Sequence, residues 1–198
     1  MSLCINPRCS KPENPDDNLF CQACGSELLL AGQYRVSRLL SDKGGFAKTY
    51  EVIDRNTQKV LKVLTQNNAK AVELFQQEAQ VLSQLNHPGI PKGEGTFTYF
   101  PRDSQAPLHC LVMEKIEGMD LEEYQKQRNY RPIEQKLALE WLRQLAEILH
   151  EVHRHHCFHR DIKPSNIILK PNGQLALIDF GAVRQVTATI LAGGQNTG

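Results

Sequence analysis

Two short strings hold the side chains best suited to chemistry. His159-Arg160-Asp161-Ile162-Lys163-Pro164-Ser165-Asn166 places a carboxylate, an ammonium and a carboxamide within six residues, and Asp179-Phe180-Gly181 brings a second carboxylate thirteen residues later. Together they pose the question of phosphate handling. A second cluster is made of sulfur. Cys4, Cys9, Cys21 and Cys24 read C-x4-C, eleven residues, then C-x2-C followed by Gly25, while Cys110 and Cys157 stand alone. The loop between the two pairs is rich in Pro, Asn and Asp, too polar to bury the apolar surface that would order it unaided. Two close pairs let four thiolates converge tetrahedrally on one zinc, with Gly25 free to make the tight turn. In a reducing compartment zinc is favoured over two structural disulfides; a redox-switchable thiol set and incidental cysteines are the other readings.

The elements that must position these groups follow from periodicity. YRVSRLL, TYEVID and KVLKVL read as an antiparallel meander, with DRNT as a turn. KAVELFQQEAQVLSQL sets Phe75, Ala79, Leu82 and Leu85 on one helical face and ends at NHPG. TFTYF and LHCLVME read as two further strands. A long amphipathic helix over about 133–155 carries the stripe Leu137, Trp141, Leu145, Ile148, Leu149 and Val152. NIILKPNGQLALID is a hairpin turned at Pro171-Asn172-Gly173. A linker is expected near 28–33, after a cysteine module over 1–30.

Composition excludes several classes. The chain has 198 residues, a net charge of +1, and is 40 % hydrophobic and 23 % charged, which is globular rather than disordered or fibrous. No apolar run approaches the roughly eighteen residues of a membrane span, and the start lacks the features of a signal peptide, so a cytoplasmic location is expected. Residues 1–30 hold two cations against four carboxylates, a net −2, which repels phosphate backbones, so the cysteine module is read as structural or as a contact or sensing element.

From about Tyr34 onward the chain resembles the eukaryotic-type (Hanks-type) serine/threonine protein kinases of bacteria, and the four-cysteine start is similar to that of some cyanobacterial members. HRDIKPSN and DFG, after a strand lysine and a helix glutamate, match the signature order of that family. The resemblance implies an α+β, protein-kinase-like fold. A five-stranded antiparallel N-lobe with one main helix (about 34–116) and a partial helical C-lobe (about 117–198) would follow a small zinc-ribbon-like module. It implies ATP with Mg²⁺, or Mn²⁺ in its place, and protein substrates phosphorylated on Ser or Thr; the charge balance argues against a nucleic-acid partner.

The same resemblance assigns roles. Asp161 would accept or orient the proton of the attacking hydroxyl, and Lys163 would stabilise the γ-phosphate; a lysine at that position argues against tyrosine specificity. Asn166 and Asp179 would ligate Mg²⁺. Lys62 would hold the α- and β-phosphates, paired with Glu78. Leu40, Gly44, Gly45 and Phe46 would cover the nucleotide, Val60 and Ile168 would sandwich adenine, Met113 would precede the hinge Glu114-Lys115-Ile116, and Asp120 would face the ribose. His159 would pack beneath Phe180.

The chain departs from the family at the phosphate-covering loop, where Asp42, Gly44 and Ala47 occupy the three glycine positions; the Asp42 charge has the wrong sign and predicts low ATP affinity. His150, His153, His155 and His156 are read as polar groups at a helix C-terminus rather than a metal site. Nothing in 182–198 resembles the anchor motif that follows DFG in the family, so the sequence is expected to be a fragment or a natural truncation. Two alternatives to an active kinase stay open: a regulatory nucleotide-binding module and a zinc-dependent interaction protein.

Overall fold

Two-residue strands β1 (Ser2–Leu3) and β2 (Glu13–Asn14) pair antiparallel, Ser2 opposite Asn14, in a computed structural model that describes residues 1–42, 45–102 and 104–185. They frame the polar cysteine loop. The stretch read as a linker contains a third short strand, β3 (Leu29–Leu30), antiparallel to β4 (Tyr34–Ser41). Leu28 and Leu30 are buried there, which explains the difference: a linker would leave both in water. β5 (Ala47–Asp54) and β6 (Thr57–Leu64) form the anticipated hairpin. Arg55 and Asn56 both take positive φ, the sense a two-residue turn needs to match strand twist.

Helix α1 (Ala69–Gln84) starts where Asn68 Oδ1 accepts from Ala71 N at 2.9 Å, and buries Ala71, Phe75, Glu78, Val81 and Leu82. β7 (Gly93–Tyr99) and β8 (Leu108–Glu114) complete a sheet of order β3-β4-β5-β6-β8-β7. The five long strands are those read from the sequence, and β3 adds a sixth at the edge. One face of the sheet carries a core that includes Tyr34, Val36, Tyr50, Val52, Leu61, Val63 and Cys110, and Ile5 from the cysteine segment belongs to it. The chain divides into two compact units, and the cysteine segment lies with the sheet in the first, Met1–Ala79 and Gly93–Lys115.

The second unit comprises Gln80–Lys92 and Ile116–Gly198. β9 (Met119–Asp120) leads into a short helix, α2 (Leu121–Gln127), which periodicity did not reveal because it is seven residues long and buries none of them. Helix α3 (Gln135–Arg154) realises the long amphipathic helix and buries Trp141, Ile148 and Val152 of the expected stripe. β10 (Cys157–Phe158) precedes a single 3₁₀ turn over Pro164–Asn166, and β11 (Ile167–Leu169) with β12 (Leu175–Leu177) makes the expected hairpin. β9 pairs with β11 on its other side, and β13 (Arg184–Gln185) pairs with β10. Gly118 is required where β9 approaches β11: its φ is +143° and a Cβ would collide with the Leu169 backbone. Among the described residues no helix is long and apolar enough to cross a membrane.

Candidate active site

In the first unit, register aligns the candidate nucleotide residues. Lys62 on β6 pairs with Thr49 on β5 and Leu111 on β8; two residues back, Val60 pairs with Glu51 and Met113. Directly opposed residues share a face, so Thr49, Glu51, Val60, Lys62, Leu111 and Met113 line one side of the sheet. Lys62 Nζ reaches both carboxylate oxygens of Glu78 on α1, at 2.7 and 2.9 Å. Glu78 is only 2 % exposed, so the pair is a buried fastening between sheet and helix. Leu40 falls within the irregular pairing of β4 with β5 and is part-exposed; Gly45 takes φ +64°, and Phe46 after it is exposed. Gly44 lies outside the described residues. Met113 is buried at the end of β8 and Glu114 is exposed, opposite Lys59.

In the second unit, the loop around Asp161 is cross-braced. Asn166 Nδ2 donates to the Asp161 carbonyl at 2.9 Å and to Asp161 Oδ2 at 2.8 Å, and Lys163 Nζ lies 2.7 Å from the same Oδ2. This carboxylate holds the Lys163 pKa above its ordinary value. With Nδ2 engaged, Asn166 presents Oδ1 as a neutral oxygen ligand. Beneath the loop, His159 uses both ring nitrogens: Nε2 donates to the Ile178 carbonyl at 3.0 Å and Nδ1 accepts from Asp161 N at 3.3 Å. Burial lowers its pKa, so the neutral ring is favoured, and Phe180 packs edge-on at 4.7 Å, as anticipated. Ile178 N donates to the Asn166 carbonyl, tying the Asp179 segment to the same loop. Asp179 sits at φ +60° and Arg160 at φ +67°, conformations that cost non-glycine residues on the order of 1–3 kcal/mol and cluster at functional sites. The exposed Asp179 carboxylate accepts from Gly181 N at 3.4 Å. Ile116 and Ile168 are half-buried, and Asp120 caps α2 through Oδ1, which accepts from Glu123 N at 2.8 Å.

The cysteine cluster is also brought together. The four Sγ atoms of Cys4, Cys9, Cys21 and Cys24 lie within 4.8 Å of one another, with Cys4 to Cys24 at 3.5 Å and Cys9 to Cys21 at 3.6 Å. Four sulfurs each about 2.3 Å from a zinc form a tetrahedron with edges of about 3.8 Å, so the donor set fits that ion. Among the described residues it is the one group of three or more Cys, His, Asp or Glu able to hold a metal. Ser26 joins the cluster to the sheet: its Oγ lies 3.3 Å from Cys24 Sγ and accepts from Asn6 Nδ2 at 3.2 Å and from Arg102 N at 3.0 Å. Tyr99 at the end of β7 donates its hydroxyl to the Glu27 carbonyl at 2.9 Å.

Comparison with known proteins decides the family. The sequence profile described as protein kinase domain matches residues 36–193. The chain belongs to the protein kinase family. Relatives within it include serine/threonine-protein kinase B of Synechocystis sp., 36 % identical over 97 % of this chain and 34 % of its own length. Serine/threonine-protein kinase F of the same organism is 36 % identical over 99 % of this chain and 44 % of its own length. Serine/threonine-protein kinase PknA of Mycobacterium tuberculosis is 33 % identical over 80 % of this chain and 37 % of its own length. The chain thus spans between a third and a half of the length of these kinases.

On the sheet face that carries Lys62, the sequence reading missed one buried charged group. Glu51, 5 % exposed, receives Arg38 Nη2 at 2.9 Å, Lys115 Nζ at 2.8 Å and the Ser37 hydroxyl at 2.9 Å. Arg38, with Lys115 and Ser37 adding to it and burial opposing, pulls its pKa down to about 2. Lys115 also donates to Gln58 Oε1 at 2.6 Å, so its side chain is fastened to the sheet. Alternation along TYEVID puts Glu51 on the face opposite Tyr50 and Val52, so the sequence carried no signal for its burial.

Proposed function

We propose that the protein is an ATP-dependent serine/threonine protein kinase. The bond from the γ-phosphorus to the β,γ-bridging oxygen breaks, a bond to a Ser or Thr oxygen forms, and the hydroxyl proton passes to Asp161. The observation that carries this reading is the Asp161 loop, whose carboxylate is held by Asn166 and Lys163 above a neutral, doubly bonded His159. Reaction rates fall steeply with misplacement of the reacting groups, and bracing of this kind is what limits it. Lys163 would meet the transferred phosphoryl group, and Lys62, held by Glu78, would meet the α- and β-phosphates. Asn166 and Asp179 would hold Mg²⁺ or Mn²⁺, which supplies neutralisation of phosphate charge when bound. Of the first unit, Leu40, Gly44, Gly45, Phe46, Val60, Met113 and Glu114 would contact the nucleotide; of the second, Ile116, Asp120 and Ile168. The names of the relatives and the lysine two residues after Asp161 support Ser or Thr as acceptor. Four closely placed sulfurs support a structural zinc, and a zinc-thiolate site in turn suits a reducing, cytoplasmic setting.

Incubating the protein with γ-labelled ATP, Mg²⁺ and a mixed peptide library tests the reading. Label is expected on Ser and Thr, reduced about a hundredfold or more by Asp161→Asn, because a positioned proton acceptor contributes about that much. Label confined to Tyr, or transfer that survives the substitution, would overturn it. Elemental analysis is expected to find one zinc per chain, lost when Cys21 and Cys24 are replaced by Ser.

A further inference from the structure

Pro164 of the catalytic loop forms one wall of a cavity of about 380 Å³ whose other lining includes Leu121, Gln125, Tyr130 and Pro132. Its composition is mainly apolar, and the two charges at its edge, Glu122 and Arg131, are of opposite sign. Three features indicate that it is built to receive something. Asn129 and Tyr130 both adopt left-handed backbone, φ +52° and +55°, a conformation that β-carbon-bearing residues take at a cost of roughly 1–2 kcal/mol each. Tyr130 stands 69 % exposed at the rim. The turn holding it is braced, with Tyr130 N donating to the Gln125 carbonyl at 2.8 Å, Arg128 Nη2 to the Pro132 carbonyl at 3.3 Å, and the Arg128 guanidinium over the Tyr124 ring. Finally, Gln125 Oε1 is buried without a hydrogen-bond partner, a state costing about 1–3 kcal/mol that rotation of the amide toward an incoming donor would relieve.

We propose that this cavity is a substrate-recognition subsite, taking a large uncharged apolar side chain of the protein substrate close to the phosphoacceptor. The inference rests on the kinase reading given above. A Ser or Thr hydroxyl must reach Asp161, so the polypeptide flanking it crosses the adjoining surface. Asp161 and Pro164 are three residues apart, and their Cα atoms are therefore no more than about 11 Å from each other. An extended substrate covers about 3.3–3.6 Å per residue, which puts the anchoring side chain two to four positions from the acceptor. Tyr130, Leu121 and the two prolines supply the apolar contact, and Gln125 takes a backbone N–H of the substrate. Opposed charges at the rim give no net attraction to either an acidic or a basic side chain.

The test compares paired peptides that differ only in carrying Leu, Phe or Ala at each of the four positions on either side of a Ser. With the full chain, one position two to four residues from the Ser is expected to favour Leu or Phe over Ala by about tenfold in kcat/KM, the discrimination typical of an apolar pocket, expressed mainly in KM. Tyr130→Ala should bring that ratio close to one, and Tyr130→Phe should keep it; Tyr130 is exposed, so neither change threatens folding. A preference unaltered in Tyr130→Ala, or no apolar preference within four positions, would overturn the inference while leaving the kinase reading intact. Fluorescence anisotropy with the same peptides carrying Ala in place of the acceptor Ser reads binding alone. Tyr130-dependent binding without transfer to the Ser peptides would sustain the subsite and refute the kinase reading.

Discussion

Replacing Ile5 by Ala asks whether the cysteine segment is an appendage or a working part of the sheet unit. Ile5 lies only one residue from Cys4, yet it is 5 % exposed and belongs to the same buried cluster as Leu30, Tyr34, Val36, Tyr50, Val52, Leu61 and Val112. Truncating a buried Ile to Ala costs about 2–5 kcal/mol, the transfer term plus the cavity left behind. With about 3 kcal/mol lost and about 1.4 kcal/mol per factor of ten, opening of the sheet becomes on the order of a hundredfold more frequent. The assay is native-state hydrogen exchange, which resolves opening amide by amide. Exchange at Val52, Leu61 and Val112, each essentially inaccessible in the centre of the sheet, is expected to accelerate by about that factor. Chelating the zinc proposed for the four cysteines should act in the same direction, because metal binding in so small a segment doubles as folding free energy. Acceleration confined to residues 1–27, with the central strands unchanged, would refute the reasoning and make the segment independent.

Two further outcomes follow from titratable groups. Glu51 has a folded pKa of about 2, below its ordinary 4.5, owing to Arg38 and then Lys115 and Ser37 working against burial. The stabilisation is therefore complete above pH 4.5 and is lost as pH falls toward 2; denaturant midpoints measured from pH 6 to 3 should show a shallower acid loss in Glu51→Gln than in the parent. His159 is lowered from 6.5 chiefly by burial, with the Ile178 carbonyl acting against that shift. Its contribution is present above pH 6.5 and declines below it as the ring must take a second proton facing Asp161 N. Titration of the His159 imidazole by NMR should give a midpoint below 6.5, and a midpoint above 6.5 would contradict the neutral-ring assignment.

Local patterns carried much of this protein. Alternation along TYEVID and KVLKVL announces strands because a half-buried sheet has a period of two, and the stripe through Trp141, Ile148 and Val152 announces α3 because a helix has a period of 3.6. Residue type and spacing likewise singled out Asp161, Lys163, Asn166 and Asp179, to which the family resemblance assigned their roles, and the paired cysteines, whose convergence needs only two tight turns. Other features were illegible because they depend on what meets what across the sequence. The burial of Ile5 in the core of the sheet exists only once the sheet is assembled, so a segment that reads as too polar to order itself is ordered in part by its neighbour. Glu51 looks like an ordinary strand charge until Arg38, Ser37 and Lys115, up to 64 positions away, converge on it. The strained turn at Asn129 and Tyr130 has no glycine to announce it, and α2 is too short to show a period. For Ile5 and Glu51 the deciding energy is a tertiary contact, and local propensity along the chain holds no record of it.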